Sequence, residues 1–110
     1  MIVTEAQVEA ALAYLNADPP PISLAKLDLT NAENHLERIY AELFLKVDGA
    51  NVKERECKVE SDENYINARD IFALATRDYE AERAKIRGAE MICEIWRSES
   101  ANIRAAEKIR

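Results

Sequence analysis

From Tyr65 onward the apolar positions of the chain recur at alternating steps of three and four: Tyr65, Ala68, Phe72, Ala75, Tyr79, then Ile86, Ala89, Cys93 and Trp96. That is the spacing of a heptad seam on an α-helix, with one charged interruption at Glu82. The stretch holds one glycine and no proline, so the pattern predicts a single long helix over 62–98, fraying toward residue 110 as the apolar positions thin out. Ser61 reads as its N-cap, followed by Asp62 and Glu63 where the helix dipole favours negative charge. A second stripe runs beside the first: Ile71 and Leu74 at one end, Ile92 and Ile95 at the other, narrowing to Ala81 and Gly88 between them. One helix partner covers one seam, so two stripes call for more than one neighbour. Gly88 weakens the helix by roughly 1 kcal/mol relative to alanine, which a close helix crossing would offset.

Upstream, Ala25, Leu29, Ala32, Leu36, Ile39 and Leu43 mark a helix over 23–47, broadened near its end by Tyr40, Phe44 and Val47. Asp48-Gly49 stops it, with Gly49 suited to the left-handed residue past a helix C-terminus. Asn51 is placed to cap a short charged connector helix over 51–59. At the start, Thr4-x-x-Gln7 is a capping box for a short helix over 4–17, with Val8, Leu12 and Leu15 on its apolar face. Asp18-Pro19-Pro20-Pro21 breaks it, and residues 18–22 read as an extended linker. The connection after Gly49 is short, so the second helix and the long helix should lie antiparallel. The fold class predicted is all-α: a long, coiled-coil-like antiparallel helical hairpin with a short N-terminal helix, in a single helical domain over 1–110.

Composition agrees with that pattern. Two glycines and three prolines in 110 residues are too few for the turns of a sheet protein. The formal net charge is −6, and most of it falls in the first sixty residues, with six Lys/Arg against eleven Asp/Glu. Such a balance opposes non-specific binding to a phosphate backbone, unless a local basic patch overrides it. No window approaches the length of apolar residues needed to cross a bilayer, and the opening Met-Ile-Val-Thr-Glu lacks a basic-then-apolar leader. The expectation is a cytoplasmic protein without a membrane partner.

Candidate chemistry is sparse. Cys57 and Cys93 are far apart in sequence, without metal-type spacing, and read as free thiols. His35 is the only histidine, so no Glu-x-x-His element accompanies the i, i+4 glutamates Glu33/Glu37 and Glu90/Glu94, which read as solvated faces. Two glycines cannot form a phosphate loop. A Cys93/His35 dyad is not required by any spacing. The chain is therefore expected to be no enzyme and to bind neither cofactor nor metal. Glu82, inside the seam, calls for a Lys or Arg on a facing helix. Arg83, Lys85, Arg87, Arg97 and Arg104 form a basic segment beside Trp96, the combination that holds single-stranded nucleic acid by backbone contact and stacking. Interleaved Glu90, Glu94 and Glu99 dilute it.

Three short stretches carry a resemblance: Ala41-Glu42-Leu43-Phe44-Leu45, Val52-Lys53-Glu54-Arg55-Glu56 and Glu94-Ile95-Trp96-Arg97-Ser98. Over about residues 41–110 the chain resembles small helical proteins that tailed phages and prophages encode near recombination and single-strand-annealing genes. The resemblance implies an accessory role and no catalytic residue. Together these readings predict an interaction protein acting as a homo-oligomer, most simply a dimer, with Tyr65, Phe72, Tyr79, Ile86 and Trp96 as its packing seam and a protein partner in view. The alternative is a nucleic-acid-binding accessory of recombination that uses the basic segment.

Overall fold

The computed structural model describes residues 2–109. Among them are four helices: α1 (Glu5–Leu15), α2 (Pro21–Lys46), α3 (Val52–Glu60) and α4 (Glu63–Ile109). The chain forms two compact units, Leu24–Glu80 and Met1–Ser23 with Ala81–Arg110, and α4 runs through both.

In the Leu24–Glu80 unit, α2 and the first part of α4 are an antiparallel hairpin. Lys26, early in α2, places its ammonium 5.3 Å from the ring centre of Tyr79, and Tyr40, late in α2, meets Tyr65 edge-on at 5.9 Å. The α2 stripe from Ala25 to Leu43 lies inward as predicted, with Ala32 buried and the others half-buried.

The short helix α3 closes the end of this hairpin. Asn51 caps it by accepting the Glu54 N–H at 2.9 Å, and the Glu54 carboxylate accepts the Ala50 N–H at 3.0 Å. Its basic side chains then reach back to the carbonyl end of α2, where the helix dipole favours cations. Arg55 stacks its guanidinium 4.1 Å from the ring centre of Phe44 and donates to the Phe44 carbonyl. Lys58 donates to the Asp48 carbonyl. Val59 is the largest fully buried side chain described.

Two expectations at this corner are corrected. Gly49 is not left-handed, since no glycine has a positive φ. It is small because a Cβ there would lie 2.7 Å from Arg55 Cγ and 3.1 Å from Arg55 N. Ser61 does not cap α4. Its hydroxyl donates to the Cys57 carbonyl at 2.8 Å and so finishes α3. Asp62 is the N-cap instead: its carboxylate accepts the Asn64 N–H at 2.8 Å and its carbonyl accepts the Ile66 N–H at 3.0 Å.

In the other unit, α1 lies antiparallel against the later part of α4. The capping box is formed, with the Gln7 N–H donating to Thr4 Oγ1 at 3.2 Å and the Thr4 N–H to Gln7 Oε1 at 2.8 Å. Val3 and Val8, both buried, occupy the two positions of a hydrophobic staple. The linker is shorter than read from the sequence: α2 begins at Pro21, where a missing N–H costs nothing and the ring pre-sets φ. The helix α4 continues past Ser98 to Ile109. Residues 101–109 are exposed on every side, so their own composition holds that end: Ala101, Ala105, Ala106 and Lys108 are strong helix formers with no breaker among them.

Buried hydrophobic positions are Val3, Val8, Ala11, Ala32, Val59, Ala68 and Ala89. Larger apolar side chains are only half covered or stand in solvent. The core is therefore thin, and this bears directly on function.

Candidate functional site

All five residues read as the packing seam of α4 are half-buried within the chain itself. Tyr65 belongs to an aromatic ladder in which Tyr40 stacks on Phe44 at 6.1 Å and meets Tyr65 edge-on. The Tyr40 hydroxyl is pushed above its ordinary pKa by the loss of water around it, then by the carboxylates of Glu56 and Glu60. Tyr79 takes the Lys26 ammonium on its face. Ile86 lines a small hollow of about 170 Å³ with Tyr14, Leu15, Pro20, Pro21 and Ile22. Phe72 and Trp96 complete the seam.

Glu82 receives the Tyr14 hydroxyl, which reaches across from α1 and donates to its carboxylate, and Lys85 of its own helix lies at 3.4 Å. The Tyr14 pKa is pushed up to about 12, first by that hydrogen bond, then by lost hydration and the carboxylate charge. A second hydrogen bond anchors the other end of α1, from the Ile2 N–H to Glu99 Oε1 at 2.9 Å. Tyr14 is an uncharged partner, and a pattern of charged positions carries no sign of it.

Along the second stripe of α4, Ile71, Leu74, Ala81 and Gly88 are exposed, and Ile92 and Ile95 are half-buried. In the Leu24–Glu80 unit, Ile71 and Leu74 are 52% and 51% exposed. They floor an open groove of about 450 Å³ whose rims carry Asp28, Asn31, His35 and Asp78. In the unit with α1, a mostly apolar groove of about 370 Å³ runs over Gly88 and Ile92, edged by Ala10 and Tyr14 of α1. Gly88 makes no close helix crossing: a Cβ there would meet nothing within 4 Å. The expectation of such a crossing is thus corrected, and the position opens onto the groove.

In the groove around His35, polar side chains of α2 and α4 come together. His35 Nδ1 lies 3.2 Å from Arg38 Nη2, which makes Nδ1 the acceptor, and Asp78 pairs with Arg77 at 3.2 Å. Among the described residues no hydrogen bond joins His35 to Asp28, Asn31 or Asp78. Cys57 is exposed and Cys93 half-buried in the seam, both as free thiols. No group of three His, Cys, Asp or Glu among the described residues could hold a metal ion, and no helix is long and apolar enough to cross a membrane.

No family model, curated protein or solved structure matches the chain. Its own surface is therefore what a functional reading rests on.

The basic residues Arg83, Lys85, Arg87, Arg97 and Arg104 are all exposed. At 100° per residue, Arg83, Arg87, Arg97 and Arg104 fall within about a third of the helix circumference, and Lys85 lies on the opposite side. Glu90 and Glu94 share the arginine face. The segment thus resolves into a mixed-charge flank and one lysine that borders the apolar groove.

Proposed function

We propose that this chain is a non-enzymatic helical interaction protein that acts as a homo-oligomer, in keeping with its resemblance to accessory proteins of tailed phages and prophages. One observation carries the reading: among the described residues the buried core is built only of valine and alanine, while Leu24, Leu27, Ile71, Leu74 and Met91 remain 51% to 60% exposed. Apolar area of that kind contributes about 25 cal/mol for every Å² removed from water, so covering it with a partner is favourable. Large apolar side chains left in water on a helical protein are where association would bury most. Light scattering on a dilution series tests the reading. A mass of two chains or more at micromolar concentration supports it, and one chain mass of 12.5 kDa at every concentration sinks it. The phage association makes a separate prediction: the DNA flanking the gene encodes recombination or annealing proteins.

A second reading draws on the arginine face. Arg87, Arg97 and Arg104 are exposed and form no ion pair among the described residues, so they are available to phosphates. A mobility-shift assay with single-stranded DNA at low salt tests it. A shift abolished by Arg97→Glu with Arg104→Glu favours nucleic-acid binding, and a wild-type chain that shifts nothing removes that reading.

A further inference from the structure

We infer that the groove over Gly88 is the seat of a two-fold, antiparallel contact with a second copy of this chain, in which each copy's Ile92 fills the space above the other's Gly88. The inference rests on the self-association proposed above and assigns it a surface and a register.

The stripe concerned lies on α4 within a single unit: Ala81, Lys85, Gly88, Ile92, Ile95 and Glu99, at steps of four and three. That is the spacing needed to keep a row facing a partner helix. Its order decides the direction of the partner. Read antiparallel about its midpoint, Gly88 meets Ile92 twice, Lys85 meets Ile95 twice, and each Lys85 lies one turn from the other copy's Glu99. Apolar side chains then meet apolar ones or the empty glycine position, and the lysine stems lie along isoleucine. Read parallel, Gly88 faces Gly88 and Lys85 faces Lys85. That leaves a void at the centre and sets like charges against each other. The row is thus self-complementary in one direction only, as a closed two-fold contact requires.

The groove supplies the space. It is about 370 Å³, its α1 wall carries Gln7, Ala10 and Tyr14, and nothing approaches within 4 Å of where a Gly88 side chain would begin. A glycine in the middle of a 47-residue helix weakens that helix, and no contact within the chain accounts for it. A knob from a second copy does.

Sedimentation equilibrium on the full chain tests this, comparing wild type with Gly88→Gln and Lys85→Glu. A glutamine fits the open space of a single chain and favours helix, so helix content is expected to hold or rise. The dimer dissociation constant is expected to increase at least tenfold. Lys85→Glu should weaken the dimer as well, and more at low salt. Register is read independently from spin-label distances, with Met91→Cys and Ala105→Cys made singly in a background where Cys57 and Cys93 are serine. Antiparallel pairing puts the two labels at 91 close together and those at 105 roughly 45 Å apart; parallel pairing makes both distances short. A wild-type dimer that Gly88→Gln leaves intact, or short distances at both positions, overturns this inference and leaves self-association standing. A wild-type chain that stays monomeric, including one that binds only a different protein, overturns both.

Discussion

The Tyr14 hydroxyl on Glu82 ties α1 to α4 through a group that gives up its proton only near pH 12. An unfolded tyrosine titrates near pH 10. The folded pKa is the higher, so this bond contributes full stability below about pH 10 and loses it as pH rises through about 12. Alkaline melts should therefore show a fall in stability across that window, and Tyr14→Phe should flatten it; an unchanged profile would show that Tyr14 is not the group responsible. The two glycines make opposite predictions. Gly49→Ala forces Arg55 and its backbone aside and should destabilise the chain by about 1–3 kcal/mol in urea melts. Gly88→Ala meets open space and should stabilise an isolated chain by roughly 0.5–1 kcal/mol. Trp96 is half-buried, so Trp96→Ala should cost roughly 1.5–3 kcal/mol, less than a fully buried aromatic. An unchanged melting temperature would show that it contributes no packing.

At the scale of elements, α3 is more than the connector its sequence suggested. Its Arg55 and Lys58 satisfy carbonyls at and just beyond the end of α2, so its charge follows from the dipole it faces. Arg55→Ala removes a hydrogen bond and a stacked cation together and should cost about 1–3 kcal/mol, with faster hydrogen exchange in the last turn of α2. If exchange there is unchanged, α3 does not hold that end. The helices themselves were legible because period and breakers mark them: the ten-position seam of α4, Glu82 included, is buried or half-buried throughout, and proline and Asp-Gly stand at the breaks. Partners across helices were not legible. They depend on how far one helix slides along another, which the spacing within either helix does not contain. Hence the spacing does not contain the contacts of Tyr14 and Arg55, and of the adjacent caps Ser61 and Asp62 it is Asp62 that starts α4 while Ser61 ends α3. The candidate site was half visible. The second stripe could be read from Ile71 to Ile95, but the pattern alone could not say that Gly88 opens onto empty space.

For the molecule as a whole, the decisive feature is how little each unit hides. Among the described residues every buried hydrophobic side chain is valine or alanine, while leucines, isoleucines and a methionine stand in water. Chain entropy opposes folding by about 1–2 kcal/mol per residue, and a core this thin offsets it poorly without help. Association is the source of the missing burial in this account, and a protein stabilised by its own copies melts at a temperature set by its concentration. The direct test is the melting temperature of the wild-type chain, followed by circular dichroism over a hundredfold range of concentration. The account predicts a rise of roughly 3 °C for each tenfold increase. A melting temperature that does not move with concentration would contradict it.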